Sequence, residues 1–405
     1  MERAMYTDIW RELASAKSMV FMTGPRQCGK TTLAKHIGKT FAESLYLNWD
    51  YVADRTRLLK HPDFLANHPR TSPAAPLVIL DEIHKYRKWK AYLKGLYDTF
   101  HEPYRFLITG SGRLDIYQRG GDSLAGRYES FHLWPFTVSE LAETRLPAAE
   151  FFANPTGERT VTRSDYTETW KSLLEYSGFP EPFLAASTQR WRRWSQTYSR
   201  QIIREDIRDL TDLKHLDLVE ALYSLLPERV GSLLSLNSLA ELLQVSYNTA
   251  KAWVEVLERY YMVFRIGPWS KRISRGLRKE QKLYLFDLPR IDDPAARFEN
   301  AVAMELHRAV SSWNDLGLGV FQLHFIRNKE KQEVDFLITQ SGKPWLLVEA
   351  KQSETSPSNS LRKFQATLNI PAVQVVDAET TPRWYPGQSQ SILVTPAWRW
   401  LPSLP

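Results

Sequence analysis

Cysteine is almost absent from this sequence, since Cys28 is the only one among 405 residues. A single thiol excludes an internal disulfide and any zinc or iron–sulfur site built from several cysteines, and it is typical of a reducing compartment. No apolar run approaches the roughly 18 residues that a membrane-spanning helix needs. The N-terminal segment MERAMYTDIWRELASA also lacks the uninterrupted apolar core of a signal peptide. We therefore expect a cytoplasmic protein without a membrane-inserted segment.

The composition that remains is that of a soluble globular protein with a basic excess. Hydrophobic residues make up 43% of the chain, and 53 Lys and Arg against 46 Asp and Glu leave a formal net charge of +7. The length accommodates about two to four domains of roughly 100 to 200 residues each. The basic excess is compatible with a nucleic-acid partner, although charge alone does not establish one.

A phosphate-binding pattern follows the first apolar strand. Residues 18–22, SMVFM, predict a buried strand that runs into the pattern GxxxxGK[ST] and then into the helical segment LAKHIGK. The motif comprises Gly24, Pro25, Arg26, Gln27, Cys28, Gly29, Lys30, Thr31 and Thr32. In such a P-loop backbone N–H groups surround a phosphate, Lys30 reaches the β- and γ-phosphates, and Thr31 binds Mg²⁺. ATP and Mg²⁺ are thus the expected cofactors, and a glycine-rich turn without function is the alternative.

A second apolar strand, residues 77–80, ends in Asp81 and Glu82. A P-loop requires a carboxylate at such a strand end to hold the Mg²⁺ shell, and Asp81 is the candidate. Glu82 points elsewhere and is the candidate that orients and deprotonates the attacking water. These adjacent acids favour an ATP hydrolase over a kinase, in which a bound substrate supplies the nucleophile. A strand end without chemistry is the alternative.

A third strand completes the predicted nucleotide edge. Residues 104–108 form an apolar run that ends in small polar residues, and Thr109 and Ser111 are candidates that contact the γ-phosphate or the attacking water. Apolar runs alternate with helical patterns through this region. That alternation predicts an α/β fold with a parallel sheet and the nucleotide at its carboxyl edge.

The order of these motifs resembles that of a known family. The P-loop, the LDE strand end, the TGS strand end, SLAGR at 123–127 and PFxxxEL at 135–141 resemble a widespread prokaryotic family of AAA+ ATPases with a C-terminal domain of uncharacterised function. The resemblance implies a homo-oligomer in which Arg127 lies near a γ-phosphate, of its own subunit or of a neighbour, and stabilises transition-state charge. An arginine that caps or pairs at a helix end is the alternative.

The middle of the chain predicts a linker and then helices. Residues 143–165 show no sustained periodicity and predict a linker or surface excursion. From residue 166 the pattern is helical and resembles the small helical lid of the same family. The next predicted helix, 191–210, carries the arginines Arg192, Arg193, Arg200, Arg204 and Arg208. The resemblance implies that one of these arginines, without indicating which, supplies a cation to the nucleotide. The alternative is a solvated face paired with Glu205, Asp206 and Asp209.

Residues 216–290 predict a winged helix-turn-helix. Helices at 216–226 and 239–243 precede a third helix that Ser246 caps, and two strands, 260–266 and 282–286, follow it. Tyr247, Asn248 and Lys251 then project from the recognition helix toward DNA. The predicted wing carries Lys271, Arg272, Arg275, Arg278 and Lys279. A protein–protein docking module of the same shape is the alternative.

A hairpin near the C-terminus gathers charged side chains. Two strand patterns, 333–338 and 345–351, are joined by a turn around Gly342. If the hairpin is centred on Gly342, Asp335 and Glu349 face each other across the pair, and Lys351 shares that face with Glu349. A slip of one residue in the register would break this convergence.

Asp335 followed by the ExK pattern resembles the PD-(D/E)XK nuclease superfamily. Glu299, in the preceding helix RFENAVAMELHR, matches the acid that this superfamily places on its first helix. The resemblance implies metal-assisted phosphodiester hydrolysis, in which Glu299, Asp335 and Glu349 hold Mg²⁺ or Mn²⁺ and Lys351 orients water or stabilises developing charge. A catalytically silent domain with Glu349 and Lys351 as an ion pair is the alternative.

We therefore predict an AAA+ core at 1–145, a helical lid at 146–215, a winged helix-turn-helix at 216–290 and an α/β restriction-endonuclease-like domain at 291–405. The function that follows is an ATP-hydrolysing, DNA-binding machine in DNA repair, recombination or defence, with branched DNA among the candidate substrates. The alternative is a nucleotide switch that assembles or releases a protein partner and carries an inactive nuclease-like domain. Stimulation of ATP hydrolysis by DNA distinguishes the two.

Overall fold

The structure is a computed structural model and describes residues 2–61, 63–110, 124–142, 146–158, 166–208, 215–270, 281–387 and 390–405. It divides into two units, Met1–Trp134 and Pro135–Pro405. Within the described ranges, no helix is both long enough and apolar enough to cross a membrane.

The first unit contains the predicted parallel sheet. Its strands pair in the order β2-β3-β4-β1-β5, and each neighbouring pair is parallel. The strands are β1 (Met19–Thr23), β2 (Ser44–Asn48), β3 (Leu77–Asp81), β4 (Arg105–Thr109) and β5 (Glu129–His132). Strands β1 and β3 are buried along their whole length, which explains why both are continuous apolar runs. The α/β fold class is confirmed for this unit.

Four longer helices connect and cover these strands. They are α1 (Ala4–Ala16), α2 (Lys30–Lys39), α3 (Val52–Lys60) and α4 (Trp89–Phe100). Leu93 and Leu96 of α4 belong to the same buried apolar cluster as Phe21 of β1 and Leu80 of β3. Thr109 of β4 lies opposite residues of both β1 and β3. The carboxyl ends of these three strands therefore meet at one edge of the sheet, where α/β proteins bind ligands.

The second unit begins with short helices. They are α5 (Val138–Leu141), α6 (Ala148–Ala153), α7 (Tyr166–Tyr176), α8 (Pro180–Ala185) and α9 (Thr188–Gln201), which continues as a π-helix over Ile202–Ile207. Helix α6 lies inside the stretch predicted as a linker. Its residue Phe151 is fully buried and its ring lies close to those of Trp313 and Trp400. The aromatic partners of α6 lie far along the chain, so local periodicity did not reveal the helix.

Helices and a hairpin appear in the order predicted for the winged helix-turn-helix. They are α10 (Leu216–Leu225), α11 (Leu236–Leu242), α12 (Tyr247–Arg259), β6 (Val263–Pro268) and β7 (Lys282–Leu285). Ser246 caps α12, since its Oγ accepts a hydrogen bond of 3.1 Å from the backbone N–H of Thr249. The predicted wing residues Lys271, Arg272, Arg275, Arg278 and Lys279 lie outside the described residues.

One sheet joins this hairpin to the rest of the second unit. The remaining elements are α13 (Pro294–Asp315), β8 (Phe321–Arg327), β9 (Glu333–Gln340), β10 (Lys343–Lys351), α14 (Asn359–Leu368), β11 (Ala372–Val376), β12 (Arg383–Tyr385), β13 (Ile392–Pro396) and α15 (Ala397–Trp400). The strand order is β12-β13-β11-β10-β9-β8-β6-β7. Strand β6 pairs with β8 in parallel at Gly267 and His324. The predicted boundary between residues 290 and 291 thus falls between strands of one sheet.

The register of the β9–β10 hairpin depends on a bulge. Gln340 pairs with Lys343 across a two-residue turn, in which Ser341 and Gly342 have φ angles of 49° and 75°. Such positive angles are typical of a type I′ turn. An irregularity between Pro344 and Leu346 then shifts the pairing by one residue, so that Val348 lies opposite Phe336. Glu349 and Asp335 are the next residues along the two strands, which confirms the predicted register.

Candidate nucleotide site and C-terminal carboxylate cluster

The P-loop of the first unit requires glycine at its two ends. Gly24 and Gly29 have φ angles of 131° and 98°, which side-chain-bearing residues rarely adopt. A Cβ atom on Gly24 would also lie 2.2 Å from the carbonyl oxygen of Leu133. Helix α2 begins directly after Gly29, at Lys30. The motif therefore forms the strand, loop and helix that its sequence predicts.

The buried ammonium group of Lys30 lies against the carbonyls of its own loop. Its Nζ donates to the backbone oxygens of Gly24, at 3.0 Å, and Pro25, at 2.5 Å. Lys30 is the residue expected to meet the β- and γ-phosphates. The contacts with Gly24 and Pro25 hold its charge at the P-loop.

Arg3 anchors the loop from outside the motif. Its guanidinium donates to the carbonyl oxygens of Cys28 and Trp134, both at 2.7 Å. Arg3 is buried and also lies 4.6 Å from the centroid of the Tyr6 ring. Sequence reasoning missed this residue, because a lone arginine before a helix gives no sign of a partner 25 residues away.

Three hydroxyl groups surround the carboxylate of Asp81. Thr31 Oγ1 donates to Asp81 Oδ2 at 2.8 Å, and the Tyr46 hydroxyl donates to the same oxygen at 2.6 Å. Thr109 Oγ1 donates to Asp81 Oδ1. Asp81 is only 2% exposed. The two predicted magnesium-side residues, Thr31 and Asp81, are thus in direct contact although they are 50 residues apart.

Tyr46 is a second residue of this site that sequence reasoning missed. It lies on β2, whose residue Asn48 pairs with Asp81. Residues two apart on a strand share a face, so the register directs Tyr46 to the same side as Asp81. Burial, together with the Asp81 carboxylate, raises the pKa of the Tyr46 hydroxyl, which therefore stays a donor. The pairing of β2 with β3 is the signal that the sequence alone did not provide.

Glu82 has different partners from Asp81. Its backbone adopts a left-handed conformation with φ 60°, and its side chain is 25% exposed. Glu82 Oε2 lies 3.6 Å from His84 Nε2 and 3.4 Å from Lys85 Nζ. Burial raises the pKa of Glu82, while Lys85 and Lys30 act in the opposite direction. A carboxylate with a raised pKa is a stronger proton acceptor, which suits a general base.

The remaining candidates near the nucleotide edge fall into two groups. Thr109 contacts Asp81, whereas Ser111 lies outside the described residues. Arg127 is partly exposed and forms a bidentate pair with Asp98 of α4, with Nε 2.7 Å from Oδ1 and Nη2 3.3 Å from Oδ2. This hydrogen-bonded pairing lowers the pKa of Asp98. It corresponds to the alternative role of an arginine paired at a helix.

The lid arginines also have defined surroundings in the second unit. Arg204 pairs with Glu220, at 2.6 Å, and with Asp217, at 2.7 Å, rather than with the nearby acids of its own helix. Arg192, Arg193 and Arg200 are exposed. The role of a lid arginine at the nucleotide therefore stays a prediction.

The predicted charged residues of the C-terminal hairpin converge. Lys351 Nζ lies 3.3 Å from Glu349 Oε1, and Asp335 Oδ2 accepts from the backbone N–H of Ala350 at 3.1 Å. Glu349 Oε2 also accepts from Ser358 Oγ at 2.6 Å. Burial raises the pKa of Glu349, while Lys351 opposes that shift. Asp335, Glu349 and Lys351 thus share one face of the hairpin.

Glu299 reaches the same region from α13. Asp293 caps this helix by accepting from the N–H of Ala296 at 2.7 Å, and Pro294 occupies its first turn. Glu299 Oε1 accepts from the Tyr284 hydroxyl at 2.8 Å. Burial, with Asp335 nearby, raises the pKa of the Glu299 carboxyl.

A lysine that sequence reasoning missed lies among these acids. Lys282 Nζ is 3.1 Å from Glu299 Oε1, 2.8 Å from Glu333 Oε1 and 3.4 Å from Asp335 Oδ1. Its side chain is 2% exposed. Burial acts to lower the pKa of Lys282, but the three carboxylates outweigh it and raise that pKa. Lys282 lies on a strand that the sequence assigns to the predicted wing, and local sequence patterns do not link that strand to the acids.

The C-terminal acids, as arranged, fit an ammonium group. Within the described ranges, no three side chains of His, Cys, Asp or Glu are arranged to hold a metal ion. Lys282 contacts Glu299 and Asp335, whereas Glu349 contacts Lys351 and Ser358. The arrangement therefore does not fit a divalent metal while Lys282 is in place. Metal ligation by Glu299, Asp335 and Glu349 stays a prediction.

Three segments of the chain match models of known families. Residues 16–142 match the family model described as "AAA domain". The chain thus carries an AAA-type P-loop domain. Residues 167–288 and 295–397 match two families described as domains of unknown function, DUF8612 and DUF4143.

Relatives along most of the chain carry no assigned activity in their names. An uncharacterized protein of Mycobacterium tuberculosis (strain H37Rv) is 26% identical over 397 residues, which cover 94% of this chain and 80% of the relative. An uncharacterized protein of Methanocaldococcus jannaschii is 27% identical over 301 residues, which cover 67% of this chain and 61% of that relative.

Two solved structures resemble this chain remotely. A Walker-type ATPase of Pyrococcus abyssi is 12% identical, with a TM-score of 0.43 over 75% of this chain and 95% of the other. A replication initiator DnaA bound to AMPPCP and single-stranded DNA is 15% identical, with a TM-score of 0.30 over 63% of this chain and 88% of the other.

Proposed function

We propose that this protein hydrolyses ATP to ADP and phosphate with Mg²⁺ as cofactor. The observation that carries the proposal is the contact of 2.8 Å between Thr31 Oγ1 and Asp81 Oδ2. A P-loop hydroxyl and a strand-end carboxylate are the two groups with which P-loop ATPases hold Mg²⁺. Their contact at the carboxyl edge of a parallel sheet supports nucleotide binding there.

Each residue of this edge has a proposed part in the reaction. The N–H groups between Gly24 and Gly29 surround the phosphates, and Lys30 neutralises their charge. When bound through Thr31 and Asp81, Mg²⁺ supplies further neutralisation of developing charge. Glu82 takes a proton from water while the water oxygen attacks the γ-phosphorus and the bond to the β–γ bridging oxygen breaks.

Two substitutions test this assignment against each other. Lys30→Ala should abolish ATP binding, whereas Glu82→Gln should keep binding and lower kcat by about 10²- to 10⁴-fold, because only proton transfer is lost. Nucleotide affinity and turnover are measured on both, with Glu12→Gln on the exposed side of α1 as the matched control. Hydrolysis at the parent rate by Glu82→Gln would show that Glu82 is not the base.

A homo-oligomer with a shared site is part of the proposal. Arg127 is tied to Asp98 only through a partly exposed pair, so a neighbouring copy can bring its own Arg127 to a γ-phosphate. Arg127→Ala should then lose turnover and keep ATP affinity. Mixtures of Arg127→Ala with Lys30→Ala subunits should recover activity, because each variant lacks a different half of the shared site. Mixtures that stay inactive would assign Arg127 a structural role.

We further propose that the ATPase acts on DNA, in repair, recombination or defence. Support comes from the net charge of +7 and from α12, on which Tyr247, Asn248 and Lys251 are exposed. DNA, especially branched DNA, should stimulate ATP hydrolysis. A nucleotide switch that docks a protein partner would hydrolyse ATP at the same rate with single-stranded, duplex or branched DNA.

The salt dependence of DNA binding sharpens this test. If the basic segment 271–279 meets about four phosphates, the slope of log K against log salt is about −3.6 on duplex DNA. A variant that replaces Lys271, Arg272, Arg275 and Arg278 with alanine should flatten that slope, whereas Asn248→Ala should alter sequence preference instead. Unaltered DNA affinity of the quadruple variant would contradict phosphate contacts by this segment and favour the protein-docking alternative.

We propose that the C-terminal domain binds DNA without cleaving it. The predicted chemistry has Glu299, Asp335 and Glu349 as metal ligands and Lys351 as the group that orients water. The contacts of Lys282 with two of these acids favour the alternative, a catalytically silent domain. The parent protein should therefore cleave no DNA with Mg²⁺ or Mn²⁺. Cleavage that Asp335→Ala removes while ATP hydrolysis persists would establish the nuclease instead.

A further inference from the structure

The ammonium group of Lys282 contacts three carboxylates at once. An ammonium group has three N–H donors, and three carboxylate oxygens lie within 3.4 Å of Lys282 Nζ. The acids come from two elements, Glu299 from α13 and Glu333 and Asp335 from β9. Every donor of the lysine therefore has an anionic partner.

The three carboxylate oxygens lie at hydrogen-bond distances from the Lys282 ammonium nitrogen, and these distances are longer than metal–oxygen bonds. Divalent cations bind carboxylate oxygens at about 2.0 to 2.6 Å, whereas the three oxygens lie 2.8, 3.1 and 3.4 Å from Nζ. A metal ion bound by Glu299 Oε1 and Asp335 Oδ1, the same oxygens that contact Nζ, would compete with the ammonium for the space between them. The two cations therefore exclude each other.

The lysine is fixed in this position. Strand β7 pairs with β6, and Lys282 itself forms an isolated bridge with Leu233. The backbone oxygen of the preceding residue, Gln281, accepts a hydrogen bond of 2.8 Å from the N–H of Leu234. The side chain of Lys282 is only 2% exposed, so in this position its ammonium is shielded from solvent among the acids.

We propose that Lys282 is the resident cation of the Glu299–Glu333–Asp335 cluster and excludes a divalent metal from it. This inference rests on the proposal that the C-terminal domain binds DNA without cleaving it. It names the residue that prevents cleavage. Removal of the ammonium leaves three acids around the space that Nζ occupied, and Arg327 remains 3.3 Å from Glu333 Oε2. The cluster then becomes an oxygen-rich site of the kind that Mg²⁺ and Mn²⁺ prefer.

Binding of Mn²⁺ to the full chain without nucleotide tests the proposal. The variant Lys282→Met retains an apolar side chain of four heavy atoms, one fewer than lysine, and so removes the ammonium group. Lys329→Met, which replaces an exposed lysine near the start of β9, is the matched control. Electron paramagnetic resonance of free Mn²⁺ should show one more bound ion on Lys282→Met than on the parent. Lys282→Met with Asp335→Asn should lose that ion, and Lys329→Met should behave as the parent.

Two results would overturn the proposal. One is a Mn²⁺ ion that the parent already binds and that Asp335→Asn removes. The other is a folded Lys282→Met variant that gains no ion. If Lys282→Met folds only with Mn²⁺, the rescue supports the proposal, and if it never folds, the comparison of the parent with Asp335→Asn decides. DNA cleavage assayed on the parent tests the proposed function separately, because a parent that binds Mn²⁺ here without cutting DNA overturns only the role of Lys282.

Discussion

The two acidic sites of this protein differ in the groups that contact their carboxylates. Among the described residues, the hydrogen-bond partners of Asp81 are the hydroxyls of Thr31, Tyr46 and Thr109. The C-terminal acids instead contact cations, which are Lys282, Arg327 and Lys351. Hydroxyl groups orient a carboxylate and leave its charge in place, whereas an ammonium cancels it. The difference is the reason for which we propose Mg²⁺ binding at Asp81 and no divalent metal at the C-terminal cluster.

Among the substitutions that follow, the largest expected effect comes from neutralising Asp81, whose carboxylate accepts from three hydroxyl groups. Asp81→Asn keeps an oxygen that can accept from Thr31, so the fold should persist. Loss of the charge should lower Mg²⁺-dependent hydrolysis by on the order of 10³-fold, equivalent to several kcal/mol of transition-state stabilisation. Steady-state turnover measures the effect, and far-ultraviolet circular dichroism checks the fold. Hydrolysis within a few-fold of the parent would contradict the role of Asp81.

Removal of the cation from the other site should act on stability. Lys282→Met leaves three buried or partly buried acids without their shared partner, which should cost about 3 to 5 kcal/mol of unfolding free energy. Lys329→Met, an exposed surface change, should stay within about 0.5 kcal/mol of the parent. Denaturant unfolding without added metal measures both. Equal stability of the two variants would show that the acids do not depend on Lys282.

A smaller effect is expected when one hydroxyl at Asp81 is removed. Tyr46→Phe deletes the donor that lies 2.6 Å from Asp81 Oδ2. Loss of such a supporting hydrogen bond weakens metal affinity by about 10- to 100-fold, so the Mg²⁺ concentration for half-maximal hydrolysis should rise. Tyr92→Phe is the matched control, since the buried Tyr92 hydroxyl has no hydrogen-bond partner in the described structure. The same Mg²⁺ requirement in both variants would contradict a supporting role for Tyr46.

The smallest effect concerns Glu82, whose Oε2 lies 3.4 Å from Lys85 Nζ. Burial raises the pKa of Glu82, and Lys85 counteracts part of that rise. A base acts only when deprotonated, so turnover should rise with pH through the pKa of Glu82. Lys85→Ala removes the counteracting charge and should move this acidic limb to higher pH. A pH profile of kcat that does not move, or moves to lower pH, would contradict the coupling.

The parts of both sites that lie on one local segment were predictable from the sequence. Strand periodicity places Glu349 and Lys351 on one face, and a buried strand before a GxxxxGK[ST] loop predicts where α2 begins. The hairpin register was also predicted, although Ser341 and Gly342 together form the turn and its centre therefore lies between them, half a residue before Gly342. The bulge after Pro344 restores the pairing expected for a turn centred on Gly342.

The missed residues contact partners that are remote along the chain. Tyr46 lies 35 residues from Asp81, and Lys282 lies 53 residues from Asp335. Their contacts depend on which strands are neighbours in each sheet, and that order is not encoded in local periodicity. The pairing of β6 with β8 joins the predicted wing hairpin to the C-terminal strands. Local sequence patterns do not predict this pairing.

The number of Mn²⁺ ions bound per chain with a non-hydrolysable ATP analogue tests the difference between the two sites most directly. The account predicts one ion, which Asp81→Asn removes and Asp335→Asn leaves in place. Electron paramagnetic resonance of free Mn²⁺ on the parent and these two variants provides the count. A second ion that Asp335→Asn removes, or a single ion that survives Asp81→Asn, would contradict it.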